Sequence, residues 1–186
     1  MAVDGDMAQD RCECERLRAQ VRTLEQRIAD LDSLAHEDPL LHIPNRRGLM
    51  RELARMISRA ARYEESCALL FLDLDGLKSV NDAHGHAVGD AALVHVTRLL
   101  EQALRPSDVI GRYGGDEFCV LLAHVDRAEA GATARRLEQA VADSAFAHDG
   151  RGVSLSVTIG VSMITKDDRA EALLERADRD MYARKG

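Results

Sequence analysis

Arg112-Tyr113-Gly114-Gly115-Asp116-Glu117-Phe118 is the stretch on which the fold of this chain turns. Apolar residues flank it, Val109–Ile110 before and Phe118–Ala123 after, so its Gly-Gly tip reads as the turn of a β-hairpin. Two carboxylates, Asp116 and Glu117, stand directly beside that tip. Glycines let a backbone approach a ligand closely, and adjacent acids on a turn can hold a hard cation.

Working outward, Cys67-Ala-Leu-Leu-Phe-Leu72 is a continuous apolar run, the mark of a buried strand, and it ends in Asp73-Leu74-Asp75-Gly76. Residues 153–163 alternate: Val153, Leu155, Val157, Ile159, Val161 and Met163 face one way, and the intervening Ser, Thr and Gly the other, which predicts a half-buried strand. Apolar periodicity predicts helices over about 46–63, 89–104, 127–143 and 170–184. The order helix, strand, helix, strand, strand, helix, strand, helix fits an α+β domain, a sheet with helices packed on one face.

Composition narrows the function. Aromatic residues make up 3% of the chain, so the core is aliphatic. A net charge of −7 argues against a nucleic-acid surface, which needs clustered Lys and Arg. A nucleotide substrate stays open, since it needs only a local basic site and a metal. No apolar stretch approaches the ~18 residues of a membrane span. Met1–Asp10 lacks the basic and apolar regions of a signal peptide, so a cytoplasmic protein with reduced cysteines is expected. Cys12 and Cys14 have no second Cys/His pair to complete a metal site.

Residues 14–35 carry a heptad pattern, with Cys14, Val21, Ile28 and Ala35 on one position and Leu17, Leu24 and Leu31 on the other. Two readings fit: a parallel two-stranded coil, with Arg27 facing Asp32 of its partner, or one amphipathic helix folded onto the domain. The narrow apolar stripe favours the coil.

Asp73 and Asp75 leave a buried strand on the same side. They are either solvated acids at a strand end or part of a metal site. If the hairpin pairs beside this strand, Asp116 approaches Asp73 and a two-carboxylate site results, suited to Mg²⁺ with substrate phosphates. Downstream, Lys78 can meet a triphosphate. Asn81 and Asp90 supply an amide and a carboxylate that can read a guanine edge, or they serve as turn and helix-start residues. His84 and His86 read as surface or packing residues.

The segment Phe71-x-Asp73-x-Asp75-Gly-Leu-Lys78-x-x-Asn81-Asp82-x-x-Gly85-His86-x-x-Gly89-Asp90, together with the hairpin, resembles the conserved blocks of the GGDEF family, the diguanylate cyclases. Asp38-x-Leu40-x-x-x-Pro44-Asn45-Arg46 resembles its opening turn, Ser156-Val-Thr158-Ile-Gly160-Val a later strand, and Ala177-Asp178-x-x-Met181-Tyr182-x-x-Lys185 its final helix. The matches keep the family's order from residue 38 onward. The resemblance implies a ferredoxin-like palm preceded by a coiled-coil helix, with residues 1–36 as a disordered start and dimerisation helix and 37–186 as the catalytic domain.

It also implies an enzyme that condenses two GTP into cyclic di-GMP and two pyrophosphates, acting as a homodimer through residues 14–35. Asp73, Asp116 and the Leu74 carbonyl then look like ligands of Mg²⁺ (or Mn²⁺), and Glu117 like an auxiliary catalytic acid. Asn81 and Asp90 look like guanine readers, Lys78 and Lys185 like phosphate ligands, and Gly114 and Gly115 like the close approach to substrate. Arg105-Pro-Ser-Asp108 has the pattern and spacing of the family's product-inhibition site, with Arg135 or Arg136 as a second arm; without the resemblance it reads as an exposed loop ion pair. The runner-up is a catalytically weak or inactive receptor that binds GTP or cyclic di-GMP and signals through its coil. A coiled-coil adaptor with the palm as scaffold is a third.

The chain departs from the family at Leu41-His42-Ile43, where Thr, Gly and Leu are usual, and at Gly76-Leu77, where bulkier residues are common. The usual Gly-Arg-Asn does not appear before Gly186, which puts GTP affinity in question unless the sequence is a piece of a longer chain.

Overall fold

The computed structural model describes residues 3–148 and 150–185. The side chains of 3–12, 14, 15, 28–31, 33 and 151 lie outside the described residues, among them Cys12 and the heptad positions Cys14, Ile28 and Leu31. The chain divides after Ala35 into two compact units.

The first unit is helix α1 (Val3–His36, with its last residue in the second unit). Its apolar side chains Leu17, Val21 and Leu24 are 48%, 52% and 55% exposed. Among the described residues, no helix is long and apolar enough to cross a membrane.

The second unit opens with a turn closed by a lone bridge between Glu37 and Pro44. Asn45 then caps α2 (Arg46–Tyr63), its side-chain oxygen accepting from the Arg47 and Gly48 amides. The unit continues through β1 (Cys67–Leu74), α3 (Leu77–His84), α4 (His86–Ala103), β2 (Val109–Gly114), β3 (Glu117–Ala123), α5 (Arg127–Ala142), β4 (Phe146–His148), β5 (Arg151–Val153), β6 (Val157–Ile164) and α6 (Ala170–Tyr182). A capping box of Asp126 and Glu129 starts α5. The main sheet is antiparallel throughout, in the order β2-β3-β1-β6, the ferredoxin-like palm.

Helices cover both faces of this sheet, not one. Ala68, Leu70, Leu72, Phe118, Val120 and Ile159 form a core with α4 and α5. Leu69, Phe71, Cys119 and Leu121 form another with α2 and α6. The continuous apolar run of β1 follows from this, since every second residue serves a different core. Full burial of each leucine is worth about 1.5–3 kcal/mol, so neither face is dispensable.

The single strand expected over 153–163 is two strands. β5 pairs only with β4, in a separate ribbon, and β6 begins at Val157. The Ser/Gly face of β6 is not solvated. Gly160 lies under α6, where a Cβ would collide with the backbone of Ala177 and Met181. Ser162 is buried, accepting from Arg176 Nε at 2.6 Å. β6 is an edge strand, and its outward groups are occupied: Glu138 accepts from the Ile159 amide, Asp180 from the Val161 amide, and Arg176 donates to the Met163 carbonyl. That arrangement leaves little of this edge free for pairing with another chain.

The helix expected from Gly89 begins at His86, and α3 precedes it where the sequence reads as turn. Gly85, at φ 87°, ends one helix and caps the next.

Candidate active site

The palm brings Asp73 and the hairpin acids together because β3, not β2, is the neighbour of β1. Register sets Asp73 opposite Glu117, and the Leu74 amide donates to the Asp116 carbonyl at 3.0 Å. The tip is tight: the β2–β3 ladder shifts between Arg112 and Gly114, and Gly115 takes φ 53°.

Asp73 and Glu117 both have raised proton affinity in this space. Burial, then the charges of Asp116 and Asp75, hold the Asp73 carboxyl above its usual range, although Lys185 pulls it down. Burial, then Asp73, Asp116 and Asp178, do the same to Glu117. Lys185 Nζ donates to Asp73 Oδ1 at 2.6 Å. Burial opposes the charge on this ammonium, but the bond and charge of Asp73 outweigh it, and the amine titrates above its ordinary value. Among the described residues, no group of three His, Cys, Asp or Glu converges to hold a metal by itself.

Asp75, although on the same strand end, is bound into the fold. It accepts from Ser156 Oγ and Thr158 Oγ1, both at 2.9 Å, and its amide donates to the Ser156 carbonyl. Local sequence pattern does not distinguish Asp73 from Asp75; the bonds that tie Asp75 to Ser156 and Thr158 do.

Lys78, Asn81 and Asp90 lie on the helix pair that directly follows β1, Lys78 and Asp90 exposed on α3 and α4. Asn81 Oδ1 is buried without a hydrogen-bond partner. It lies against Gly89, where a Cβ would collide with it, so the glycine makes room for this amide rather than starting a helix.

Arg105 and Asp108 do not form the ion pair that a bare loop would suggest. Asp108 accepts from the Arg105 amide at 3.0 Å and from the Ala123 amide at 3.4 Å, which leaves the Arg105 guanidinium free of this carboxylate. Arg105 and Arg136 line one groove of about 500 Å³, between the end of α4 and α5, and Arg135 is not among its lining residues.

Sequence reasoning passed over three residues of this region. Arg112 and Asp38 clamp the tip, as described below. Arg46 lies 4.5 Å from the Tyr113 ring centroid and donates to its hydroxyl, beside a cavity of about 410 Å³ that Glu117 and Asp178 also line. Arg46 and Arg112 are visible in the motifs, but nothing local says what they touch. The departure at His42 proves conservative in shape: this residue takes φ 55°, the left-handed conformation a glycine adopts freely.

The comparisons with known proteins agree on one family. The sequence profile described as "Diguanylate cyclase, GGDEF domain" matches residues 35–186. The diguanylate cyclase TpbB of Pseudomonas aeruginosa is 40% identical over 167 residues, covering 87% of this chain and 38% of TpbB. The chain thus spans well under half the length of that relative. Among solved structures, diguanylate cyclase SiaD of Pseudomonas aeruginosa, in complex with its activator SiaC, is similar at 32% identity and a TM-score of 0.79, over 95% of this chain and 74% of the other. The coiled coil and GGDEF domain of DgcB from Caulobacter crescentus, in complex with c-di-GMP, matches at a TM-score of 0.80 over 100% of this chain and 95% of the other; at 23% identity this is a likeness of fold.

Proposed function

The chain belongs to the GGDEF family of diguanylate cyclases, and from that membership we propose that it condenses two GTP into cyclic di-GMP with release of two pyrophosphates. The observation that carries this reading is the register that sets the Asp116–Glu117 tip beside Asp73.

Asp73 and Asp116, with the Leu74 carbonyl, would hold Mg²⁺ or Mn²⁺. The donor set fits such an ion. It consists of hard oxygens, its carboxylates repel one another, and Asp73 already attracts the Lys185 ammonium. Two carboxylates and a backbone carbonyl also suit a cation that shares its coordination with substrate phosphates. When bound, the ion neutralises charge developing on the phosphate oxygens.

The chain's own residues do the rest. Asn81 and Asp90 bind guanine through complementary hydrogen bonds. Lys78 and Lys185 meet the phosphates, and Lys185 leaves Asp73 to do so. Gly114 and Gly115 let the backbone approach the nucleotide. Glu117, with its raised proton affinity, is a candidate to take the proton from the attacking 3′-hydroxyl. One domain holds one GTP, so two copies face each other, brought together by residues 14–35. The half-exposed Leu17, Val21 and Leu24 support that pairing. The domain division is read the same way, with α1 as the dimerisation helix and residues 37–186 as the catalytic domain. Arg105, Asp108 and Arg136, with Arg135 beside them, form the site where product inhibits, and the shared groove of Arg105 and Arg136 favours it. A cytoplasmic location suits the substrate.

One observation favours a second reading, a receptor that binds GTP or cyclic di-GMP without turnover: the Lys185 ammonium already neutralises Asp73. Incubation with GTP and Mg²⁺, with products resolved by chromatography, decides between them. Cyclic di-GMP is expected at protein concentrations where the chain is dimeric. Its absence, with cyclic di-GMP binding retained, selects the receptor.

A further inference from the structure

The tip of the hairpin presents a physical difficulty. Gly114-Gly115 is a Gly-Gly dipeptide whose backbone no side chain restrains, yet Asp116 must point at Asp73. The Arg112 guanidinium resolves it. Its Nε and Nη2 both donate to the Gly115 carbonyl, at 2.9 and 2.7 Å. The next carbonyl, that of Asp116, accepts from the Leu74 amide. Both peptide planes that flank the Asp116 Cα are therefore held, one from β2 and one from β1, and the direction of its carboxylate follows.

The guanidinium is itself fixed. Its Nη1 donates to Asp38 Oδ2 at 3.0 Å, with the two side chains only 19% and 12% exposed. Asp38 Oδ1 accepts from the Leu40 and Leu41 amides, so this carboxylate is anchored in the turn that follows α1. The Arg112 amide donates to the Pro44 carbonyl of that same turn. Three nitrogens of one planar fork thus act on two fixed acceptors, a geometry a lysine ammonium cannot reproduce.

We propose that Arg112, oriented by Asp38, is a positioning residue for the cyclase reaction: it aims Asp116 by clamping the Gly115 carbonyl, and it ties that aim to the turn at the end of α1. The proposal rests on the cyclase reading. Neither residue is among those assigned above to substrate or cation. Asn81 and Asp90 sit on α3 and α4, apart from the clamp, so its loss weakens the chemistry and the cation site more than guanine binding.

The test uses the full chain with Arg112→Ala, Arg112→Lys and Asp38→Asn. It measures steady-state kinetics with GTP and Mg²⁺, direct Mn²⁺ titration without nucleotide, and thermal unfolding. Arg112→Ala is expected to lower kcat about a hundredfold and Mn²⁺ affinity about tenfold, with KM within about threefold of wild type. Arg112→Lys recovers part of both losses, and Asp38→Asn lies nearer wild type. A clamp that merely stabilises the fold would lower the unfolding temperature and leave kcat per folded molecule and Mn²⁺ affinity unchanged, which overturns the proposal. If wild type makes no cyclic di-GMP, the cyclase reading fails, and the Mn²⁺ titration decides the clamp alone. Equal affinity across wild type, Arg112→Lys and Asp38→Asn overturns it, as does no binding by wild type. If Arg112→Ala does not fold, the two milder variants carry the same comparison.

Discussion

The segment from α6 to Lys185 meets carboxylates at both ends of the sheet, and the two ends are built to opposite purposes. Beyond the C-terminal end of β6, Asp168 takes a bidentate pair of bonds from Arg176, at 2.9 Å each, and a third from the Thr165 amide. Those bonds, led by Arg176, hold its carboxyl below the usual range. At the other end burial, with the charges of neighbouring carboxylates, holds Asp73 and Glu117 above theirs. The first cluster satisfies its charge within the fold; the second leaves charge that a ligand could satisfy. A carboxylate whose proton affinity rises on folding weakens the fold at neutral pH, and such a cost is characteristic of sites kept for function.

The largest effect expected from breaking this contrast is on activity. Asp73→Asn or Asp116→Asn, each nearly isosteric, should lower the rate of cyclic di-GMP formation by about a thousandfold, while the fold persists. Loss of less than about tenfold in the steady-state rate would remove these acids from the chemistry.

Next comes the satisfied end. Asp168→Ala strands the Thr165 amide and frees Arg176, which also holds Ser162 and the Met163 carbonyl. Because Arg176 is partly exposed, the cost is discounted to about 1–2 kcal/mol in urea unfolding, with turnover of the folded enzyme unchanged.

Glu117→Gln should move the two properties in opposite directions. Activity falls, and the unfolding temperature rises by about 1–3 °C as one repelling charge is removed. A fall in both would mean that Glu117 makes a stabilising contact instead.

The two ends also differ in pH dependence. Asp73 and Glu117 have folded values above their ordinary values of 3.8 and 4.5, so between the two the folded chain binds protons that the unfolded chain has released. Stability due to them therefore falls as pH rises from the unfolded to the folded values. Asp168, lowered from 3.8, acts in reverse: its contribution is present above the unfolded value and is lost as pH falls through the folded one. Urea midpoints measured across the acidic range should lose Glu117's share of the first slope in Glu117→Gln and the whole of the second in Asp168→Ala.

The smallest effect tests a strain of backbone rather than of charge. His42→Gly removes a left-handed histidine and should stabilise by a few tenths of a kcal/mol up to about 1, net of the glycine's greater freedom when unfolded.

Local patterns in the sequence carry the hairpin, β1 and most of α2, because a Gly-Gly tip, a continuous apolar run and a 3.6-residue stripe each have one low-energy outcome. They do not carry α3. Its residues Asn81-Asp82 favour turns, Leu77 is its only buried residue, and its helix is stabilised by packing on α4. The three-residue strands β4 and β5 are too short to show a period. The Gly160 and Ser162 face of β6 resembles a solvated one because nothing local reveals that α6 covers it.

By itself, then, the sequence determined the family, the antiparallel hairpin and the list of acids, amides and basic residues that such a site needs. Tertiary structure decided which of them meet. Strand register separates Asp73, beside the hairpin tip, from Asp75, bound to Ser156 and Thr158. Packing on both sheet faces decides that β6 has no open side. Long-range contacts set the Asp38–Arg112–Gly115 clamp, across a separation in sequence that no periodicity spans. The physical reason is the same in each case: propensity and patterning act over one or two turns of chain, whereas charge and hydrogen bonding act on whatever the fold has brought near.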